Sequence, residues 1–435
     1  MKEISLDQIE KFHQNYQKEK YNKIIENAIV NNGIDAVCLD NSIIRENNAV
    51  FNIELPKAKV YDQKKSGRCW CYAAINTIKY NIAENMNVNV TDLELSINYL
   101  TFFDKLEKSN KIYENIIASN QYDYRYLKEE EIMEFGEGGL HIYAKELIKK
   151  YGLIPAAYMK ESHDSSDSSK LLLLLKEKIK SDIHKLIDLK KKKKTITEIR
   201  KEKAKMLEEN FVILSKVLGE PVTHFDLEYK DKDDQYIRIE NMTPLLFAQK
   251  YLTIDLDEFV TLCNIPRYNR DMYKRYVRKY DGSIIGKTKN DYVNIPIEEL
   301  EKIAIKQLKD NLPVAFICPT FKMWYRKDWI LDSRIYNYDA ILPFNRLDKT
   351  NEFNYEDIQP NHAMTLVGVH VIENKPVRWK VENSWGDKDC KQYLTMNNTF
   401  FEDCVIEISV LKKYVSKKIL KAFEQEAIEI EVDEW

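Results

Sequence analysis

SGRCWCYAAINTIKYNIA, residues 66–83, is the stretch that decides the fold of this chain. Gly67 interrupts the segment before it, and apolar side chains then recur at helical spacing, at Trp70, Ala73, Ala74, Ile78 and Ile82. This pattern predicts a largely buried helix with Cys69 in its first turn. A thiol there meets the positive end of the helix dipole, which is expected to lower its pKa and to favour the nucleophilic thiolate. A cysteine on a buried helix is, taken alone, more often a packing residue than a nucleophile.

The segments around this helix carry periodicities of their own. Apolar residues in 1–35 recur at spacings of three to five, which predicts a helix. Residues 50–62 begin with alternating apolar and polar side chains, which predicts an extended segment. Further helices are predicted at 94–117 and 139–151. Glycine and proline occur only 11 times each, so long elements and short loops are expected.

A charged region follows in the middle of the chain. ESHDSSDSSK at 161–170 predicts a loop whose Ser and Asp side chains can cap a following helix. Two charged, helix-like stretches within 170–218 then predict a helical insertion or subdomain. The lysine run 190–194 would suit nucleic-acid binding, but acidic residues lie on both sides of it. We interpret it as a solvated helix face and expect no nucleic-acid partner.

From about residue 240 onward the pattern changes to short apolar or alternating runs, which are typical of strands. These runs are LPVAFICPTF (312–321), MTLVGVHVI (364–372), VRWKVENSW (377–385) and VIEISVL (405–411). Helices dominate the first part of the chain and strands the second. This order predicts an α+β protein with segregated layers.

Composition and charge limit the class of protein. The 435 residues carry a formal net charge of −3, so the overall charge does not require an anionic partner. The seven cysteines are scattered, and Cys69 and Cys71 are too close for a zinc or redox C-x-x-C motif. We therefore expect no metal and a reducing compartment. The N-terminus is charged throughout and no apolar run approaches about 20 residues, so neither a secretory signal nor a membrane span is expected. The predicted location is the cytoplasm.

Two residues far downstream complete a candidate catalytic set with Cys69. His362 stands just before the strand predicted at 364–372, where its ring can face a cleft. Asn383 ends the run RWKVE, where its amide can accept the second imidazole N–H, and Trp385 can shield that bond from water. Each of these residues alone is more often structural. Together, an early Cys followed by a late His and Asn has the layout of papain.

Longer motifs extend this pattern from residue 62 to residue 428. They are DQKKSGRCWCYAAIN (62–76), LELSINYLTFFDKLEKSN (93–110), GEGG (136–139), KYGLIP (150–155), NHAMTLVGV (361–369), RWKVENSWGD (378–387) and KAFEQEAI (421–428). The chain thereby resembles the bleomycin hydrolase and aminopeptidase C branch of the papain-like cysteine peptidases. Papain relatives in general lack QKxSGRCW and the long helical insertion after KYGLIP, so the resemblance reaches beyond a shared triad.

The resemblance implies a role for each matching residue. Cys69 would be the nucleophile, His362 the general acid and base, and Asn383 the residue that orients the imidazole. Gln63 would donate a side-chain N–H to the oxyanion hole, beside the backbone N–H of Cys69. No cofactor is implied.

The resemblance also implies where substrate binds and how the chain assembles. Gly138 and Gly139 match paired glycines at which such enzymes bind the substrate backbone in extended form, a role that suits residues without a side chain. The implied fold is a helical lobe headed by the Cys69 helix and a barrel-like β lobe that carries His362 and Asn383. Relatives form hexamers that enclose a central chamber.

The C-terminus departs from the family pattern. In relatives the C-terminal arm lies in the cleft, and its carboxylate pairs with the free amine of the substrate, which makes them aminopeptidases. This chain ends EIEVDEW, where relatives run on past Trp-Asp-Pro. Trp435 would supply the terminal carboxylate and fill a nearby subsite, with Asp433 and Glu434 beside it. Cys71 also departs from the pattern; we interpret it as a small buried hydrophobe, with a redox role as the alternative.

The expected function is that of a cysteine peptidase acting on free N-termini of peptides as a homohexamer. An endopeptidase or acyl-transfer enzyme with the same triad is the first alternative, and the short arm favours it. A catalytically idle nucleic-acid-binding homologue is the second, and the complete set of Gln, Cys, His and Asn argues against it. The expected segments are an N-terminal arm (1–60), the helical lobe (61–160), the helical insertion (161–255), the β-rich lobe (256–420) and the C-terminal arm (421–435).

Overall fold

The computed structural model describes residues 1–129, 135–355, 358, 360–386 and 393–431. Helices fill most of the first half of the chain. Their bounds are α1 (Leu6–Lys18), α2 (Asn22–Asn32), α3 (Ile34–Cys38), α4 (Asn41–Glu46), α5 (Cys69–Met86), α6 (Ile97–Ala118), α7 (Tyr124–Glu129), α8 (His141–Tyr151), α9 (His163–Ser166), α10 (Ser169–Lys191), α11 (Ile196–Leu218), α12 (Pro244–Tyr251), α13 (Ile297–Lys309), α14 (Lys349–Asn354), α15 (Asn398–Cys404) and α16 (Lys417–Phe423). None of the helices in these ranges combines the length and apolar character that crossing a membrane requires.

Strands dominate the second half. They are β1 (Ile53–Glu54), β2 (Phe225–Lys230), β3 (Tyr236–Met242), β4 (Phe259–Cys263), β5 (Arg275–Arg278), β6 (Asp291–Asn294), β7 (Val314–Cys318), β8 (Trp324–Tyr325), β9 (Ile330–Leu331), β10 (His362–Ile372), β11 (Lys375–Glu382), β12 (Tyr393–Asn397), β13 (Glu407–Leu411) and β14 (Ile428–Ile430). One mixed sheet runs in the order β14-β5-β6-β4-β13-β7-β10-β11-β12-β9-β8, with β1 paired to β10, while β2 and β3 form a separate hairpin. The predicted α+β organisation is therefore confirmed.

The N-terminal region differs from its prediction. Residues 1–35 form not one helix but α1, α2 and the start of α3. The helix breaks at Gly33, whose φ of +85° is a conformation that glycine adopts without strain, and whose N–H bonds to the carbonyl of Ile29. The extended segment at 50–62 pairs as a strand only at β1.

The Cys69 helix is largely buried, as its apolar spacing predicts. Its predicted apolar positions are all buried: Trp70, Ala73, Ala74, Ile78 and Ile82. They belong to a core cluster that also contains side chains of α6, α8 and β10. The helices predicted at 94–117 and 139–151 are confirmed as α6 and α8. The hydroxyl of Thr365 on β10 donates to the carbonyl of Ala73 on α5 at 3.4 Å, which places the start of α5 beside the end of β10 that begins with His362.

The predicted insertion consists of α10 and α11, which bury leucine and isoleucine faces in the same core, followed by the β2–β3 hairpin. The hairpin was not predicted, although its strands alternate apolar and polar side chains, which is the pattern of a half-buried strand. The predicted loop at 161–170 contains the short helix α9, capped by Ser162. In the lysine run, residues 191–194 are exposed, whereas Lys190 is half-buried and donates to the carbonyls of Ile116 and Ile117, each at 2.8 Å.

Candidate functional site

Cys69 is the first residue of α5, and Arg68, the residue before it, is held in place by contacts outside this helix. Arg68, the N-cap residue, is buried and forms an ion pair with Glu161 at 2.9 Å. Its guanidinium also donates to the carbonyl of Ser165 at 2.7 Å. The N–H groups in the first turn of a helix have no partner within the helix, so the Cys69 N–H is available to a ligand. Cys69 itself is half-buried and lines a large cavity.

The environment of the Cys69 thiol contains two opposing effects. Burial raises the pKa of Cys69, while nearby backbone N–H groups, including that of Ala363, lower it. The net shift is upward, so the predicted fall in pKa is wrong for the thiol on its own: the N–H groups at the helix start do not outweigh burial. Transfer of its proton to a neighbouring imidazole leaves the net charge of the two groups unchanged, so burial opposes that transfer less than it opposes ionisation of the thiol alone.

His362 and Asn383 are in direct contact. The Nε2 atom of His362 lies 2.7 Å from Oδ1 of Asn383, and the backbone N–H of Ser384 donates to the same oxygen at 2.7 Å. Because a backbone N–H can only donate, this contact identifies the amide atom as an oxygen and an acceptor. The hydrogen of the neutral imidazole must therefore be on Nε2. Its Nδ1 is left with a lone pair and can accept a proton.

Trp385 covers this contact. Its indole stacks on the imidazole of His362, with 4.7 Å between ring centroids and 22° between the planes. Both His362 and Asn383 are buried. Burial lowers the pKa of His362 to about 4, although the hydrogen bond that its Nε2–H donates to Asn383 acts in the opposite direction. The imidazole is consequently neutral, and able to act as a base, over a wide pH range.

Gln63 is fixed by hydrogen bonds at both ends of its side chain. Its Oε1 accepts from the hydroxyl of Ser384 at 2.5 Å, and its Nε2 donates to the carbonyl of Ser66 at 2.7 Å. Its backbone N–H also donates to the carbonyl of Ser384 at 2.7 Å. An amide nitrogen carries two hydrogens, so one N–H remains for a ligand in the cavity that Gln63 lines.

The two predicted glycines line the same cavity but differ in their surroundings. A Cβ at Gly139 would lie 2.5 Å from the Trp70 ring, so this glycine is required for packing. A Cβ at Gly138 would meet no atom within 4 Å. The missing side chain therefore allows close packing at Gly139 and leaves open space at Gly138.

Glu137, between these glycines and Gly136, is a site residue that the sequence reasoning missed. Its carboxylate accepts from the Gly67 N–H at 2.6 Å and from the Ser168 hydroxyl at 2.6 Å. Its carbonyl accepts from the Trp70 indole at 2.9 Å. Glu137 thus joins the GEGG segment to the residues just before Cys69. The sequence feature that points to Glu137 is its charge, because every other residue of the GEGG motif is glycine.

The cavity measures about 620 Å³ and lies between the helical and β-rich parts. Cys69, His362, Gln63 and both glycines line it, and Asn383 lies behind His362.

Trp435 falls outside the described residues. The strand before it, β14, pairs in parallel with β5, and Ile430 lines the cavity. The described residues include no group of three or more His, Cys, Asp or Glu side chains placed to bind a metal ion.

Comparison with known proteins gives full-length matches. A model of the "Peptidase C1-like family" matches residues 3–435. Aminopeptidase C of Listeria innocua serovar 6a is 32% identical over 431 residues, covering 98% of this chain and 96% of that protein. Aminopeptidase E of Lactobacillus helveticus is 34% identical over 421 residues, covering 96% and 95%. The crystal structure of PepW from Lactobacillus rhamnosis HN001 matches with a TM-score of 0.94 and 32% identity, covering 99% and 98%. The family resemblance and fold class expected from the sequence are confirmed.

Proposed function

Because this chain is a cysteine peptidase of the Peptidase C1-like family, we propose that it is an aminopeptidase whose catalytic triad is Cys69, His362 and Asn383. The observation that carries this proposal is the imidazole of His362, bonded to Asn383 through Nε2 in the cavity that Cys69 lines. This arrangement leaves Nδ1 as the proton acceptor. The substrates are peptides, and the reaction is hydrolysis of a peptide or amide bond.

The chemistry follows from these groups. The thiol of Cys69 transfers its proton to His362, and the sulfur attacks the carbonyl carbon of the substrate. The resulting oxyanion receives hydrogen bonds from the free N–H of Gln63 and from the backbone N–H of Cys69. His362 then protonates the leaving amine, and the acyl group remains on sulfur. Finally His362 removes a proton from water, whose oxygen attacks the thioester; the C–S bond breaks, the acid is released, and the proton on His362 returns to the sulfur of Cys69.

The restriction to free N-termini is assigned to the C-terminal arm. The arm runs as β14 beside β5, and Ile430 lies in the cavity wall, which supports a path into the cleft. We assign recognition of the substrate amine to a carboxylate of Asp433, Glu434 or Trp435, with Trp435 also filling a subsite. A charged pair of this kind is stronger where water is partly excluded.

The test compares free and N-blocked versions of the same peptide amide. The proposal predicts cleavage of the free-amine substrate and little cleavage of the blocked one, both absent in Cys69→Ala. Equal cleavage of the two would favour the endopeptidase or acyl-transfer alternative. An inert wild-type enzyme would overturn peptidase activity altogether.

Self-assembly into a homohexamer is also part of the proposal. Helix α1 buries none of its residues, and Leu6, Phe12 and Tyr16 are exposed apolar side chains on it. An apolar helix face without cover favours contact with another surface, here a second copy of the chain. Light scattering at micromolar concentration is expected to give the mass of a hexamer, and a monomer would refute this. We also propose that the protein is cytoplasmic. The proposed segments end at residues 60, 160, 255 and 420, as predicted from the sequence.

A further inference from the structure

Lys108, on α6, lies beneath the glycine segment of the cavity. Its side chain is only 13% exposed and lines the cavity. The ammonium donates to the carbonyl of Gly138 at 2.6 Å and to that of Gly136 at 3.4 Å. It also lies 3.1 Å from the carboxylate of Asp104. Lys108 therefore connects a buried carboxylate of α6 to two carbonyls of the GEGG segment.

These contacts determine the kind of role that Lys108 can have. A lysine ammonium carries three N–H donors and no acceptor. Asp104, Gly136 and Gly138 account for all three, so no donor is left for a substrate. Lys108 can thus act on a substrate only through the segment that it binds.

The same ammonium lies against the ring of a residue next to the nucleophile. Its Nζ is 5.4 Å from the centroid of the Trp70 ring, and the Trp70 indole donates to the carbonyl of Glu137. The carboxylate of Glu137 accepts from the N–H of Gly67, two residues before Cys69. Lys108 and Trp70 therefore both contact the glycine segment, which is also hydrogen-bonded to Gly67 just before α5.

We propose that Lys108 is a positioning residue for substrate binding, whose positive charge fixes the carbonyls of the glycine segment 136–139 so that the segment accepts an extended peptide backbone. This inference rests on the proposed function, since it requires substrate to lie along Gly138 and Gly139. Backbone contacts of that kind form both in the bound substrate and in the transition state. Their loss is expected to raise KM and to leave kcat nearly unchanged.

The charges around Lys108 support a dependence on pH. Asp104 on the same helix and Glu137 on the glycine segment favour the ammonium, whereas Lys105 on the same helix disfavours it. Burial is the largest effect and lowers the pKa of Lys108 to about 8. The ammonium is present below that pH and is lost above it. An arginine at this position remains charged throughout this range.

The experiment measures kcat and KM of the wild type, Lys108→Gln, Lys108→Arg and Lys190→Gln on one free-amine peptide amide. Lys190 is the matched control, because its ammonium also bonds to carbonyls of α6, those of Ile116 and Ile117, but it does not line the cavity. Lys108→Gln is expected to raise KM by about 5- to 30-fold with kcat within about twofold of wild type. Lys108→Arg should stay near the wild type at pH 7, and Lys190→Gln should leave KM unaltered.

The pH profile supplies an independent readout. Between pH 7 and 9 the wild-type KM should rise more than that of Lys108→Arg; the amine of the substrate titrates equally in both assays and therefore cancels. A KM for Lys108→Gln that matches Lys190→Gln would overturn the inference, as would identical pH profiles for wild type and Lys108→Arg. If Lys108→Gln fails to fold, the pH dependence of KM in Lys108→Arg, compared with that of the wild type, still tests the inference. An inactive wild type would instead refute the proposed function.

Discussion

Lys79 and Glu382 form an ion pair in the interior of the protein, with 1% and 0% of their side chains exposed. Lys79 lies on α5, which begins with Cys69, and Glu382 ends β11, directly before Asn383. The pair therefore joins the helix of the candidate nucleophile to the strand that leads to the orienting residue. Burial raises the pKa of Glu382 and lowers that of Lys79, so each group depends on the other to stay charged.

Removing one member of this pair is expected to destabilise the fold. Glu382→Gln leaves the ammonium of Lys79 buried without its counter-ion, at a cost of roughly 3–5 kcal/mol in the free energy of unfolding. The double variant Lys79→Met/Glu382→Leu should recover much of that loss, because neither charge remains. Urea unfolding measures both values. Glu202→Gln, which breaks the exposed pair with Lys205, is the control and should cost less than about 1 kcal/mol. A loss for Glu382→Gln as small as for this control would contradict the expectation.

Cys69 should be the cysteine that reacts. Every other cysteine in the described part of the chain is buried, whereas Cys69 is half-buried and faces the cavity. One equivalent of iodoacetamide is expected to abolish activity and to label Cys69 first, as peptide mass mapping would reveal. Cys69→Ala, with the same buried cysteines, should take up little label under these conditions. Inactivation accompanied by labelling of Cys71 or Cys404 would refute the assignment.

The supporting residues should differ in their effect on turnover. Gln63→Ala removes one oxyanion donor and is expected to lower kcat by about 10²–10³. Ser384→Ala removes only a partner of the Gln63 amide and should cost less. Asn383→Ala should also cost less than His362→Ala, because an imidazole without its orienting residue can still accept a proton. Unchanged turnover in Gln63→Ala would place the oxyanion hole elsewhere.

The acid limit of activity should reflect the burial of His362. Its neutral form is the base, and burial lowers its pKa from 6.5 to about 4. The fall of kcat/KM on the acid side is therefore expected near pH 4 rather than near pH 6.5. Trp385→Ala exposes the ring to water and should move this limit upward. If kcat/KM of the wild type instead falls near pH 6.5, His362 is solvated in the active enzyme.

Truncation of the C-terminal arm tests the selectivity for free amines. Removing residues 432–435 leaves β14 and its pairing with β5 in place. This deletion is expected to raise cleavage of N-blocked peptide amides and to lower cleavage of free-amine ones. Asp433→Asn/Glu434→Gln with the terminus intact separates the side-chain carboxylates from that of Trp435. If the intact enzyme cleaves both substrates equally and the deletion alters neither, the arm does not control access.

The sequence alone predicted the helix and strands that carry the candidate site, and it identified the family. The apolar spacing after Gly67 predicted α5 and the position of Cys69 at its start, because helical periodicity is a local property. The alternating runs predicted β10 and β11 and placed His362 and Asn383 at their ends for the same reason. The motifs from 62 to 428 then identified the family, which the full-length matches confirm.

Only the tertiary structure decided the electrostatics and the supporting contacts. The helix dipole by itself would lower the pKa of Cys69, but burial, which depends on what packs over the helix, raises it. The contacts of Lys108 with Gly138 and of Glu137 with Gly67 join residues 30 and 70 positions apart. No local pattern encodes such pairs, because a buried charge and its partner are brought together by the packing of separate elements. The sequence thus predicted which groups react, and the fold determined their surroundings.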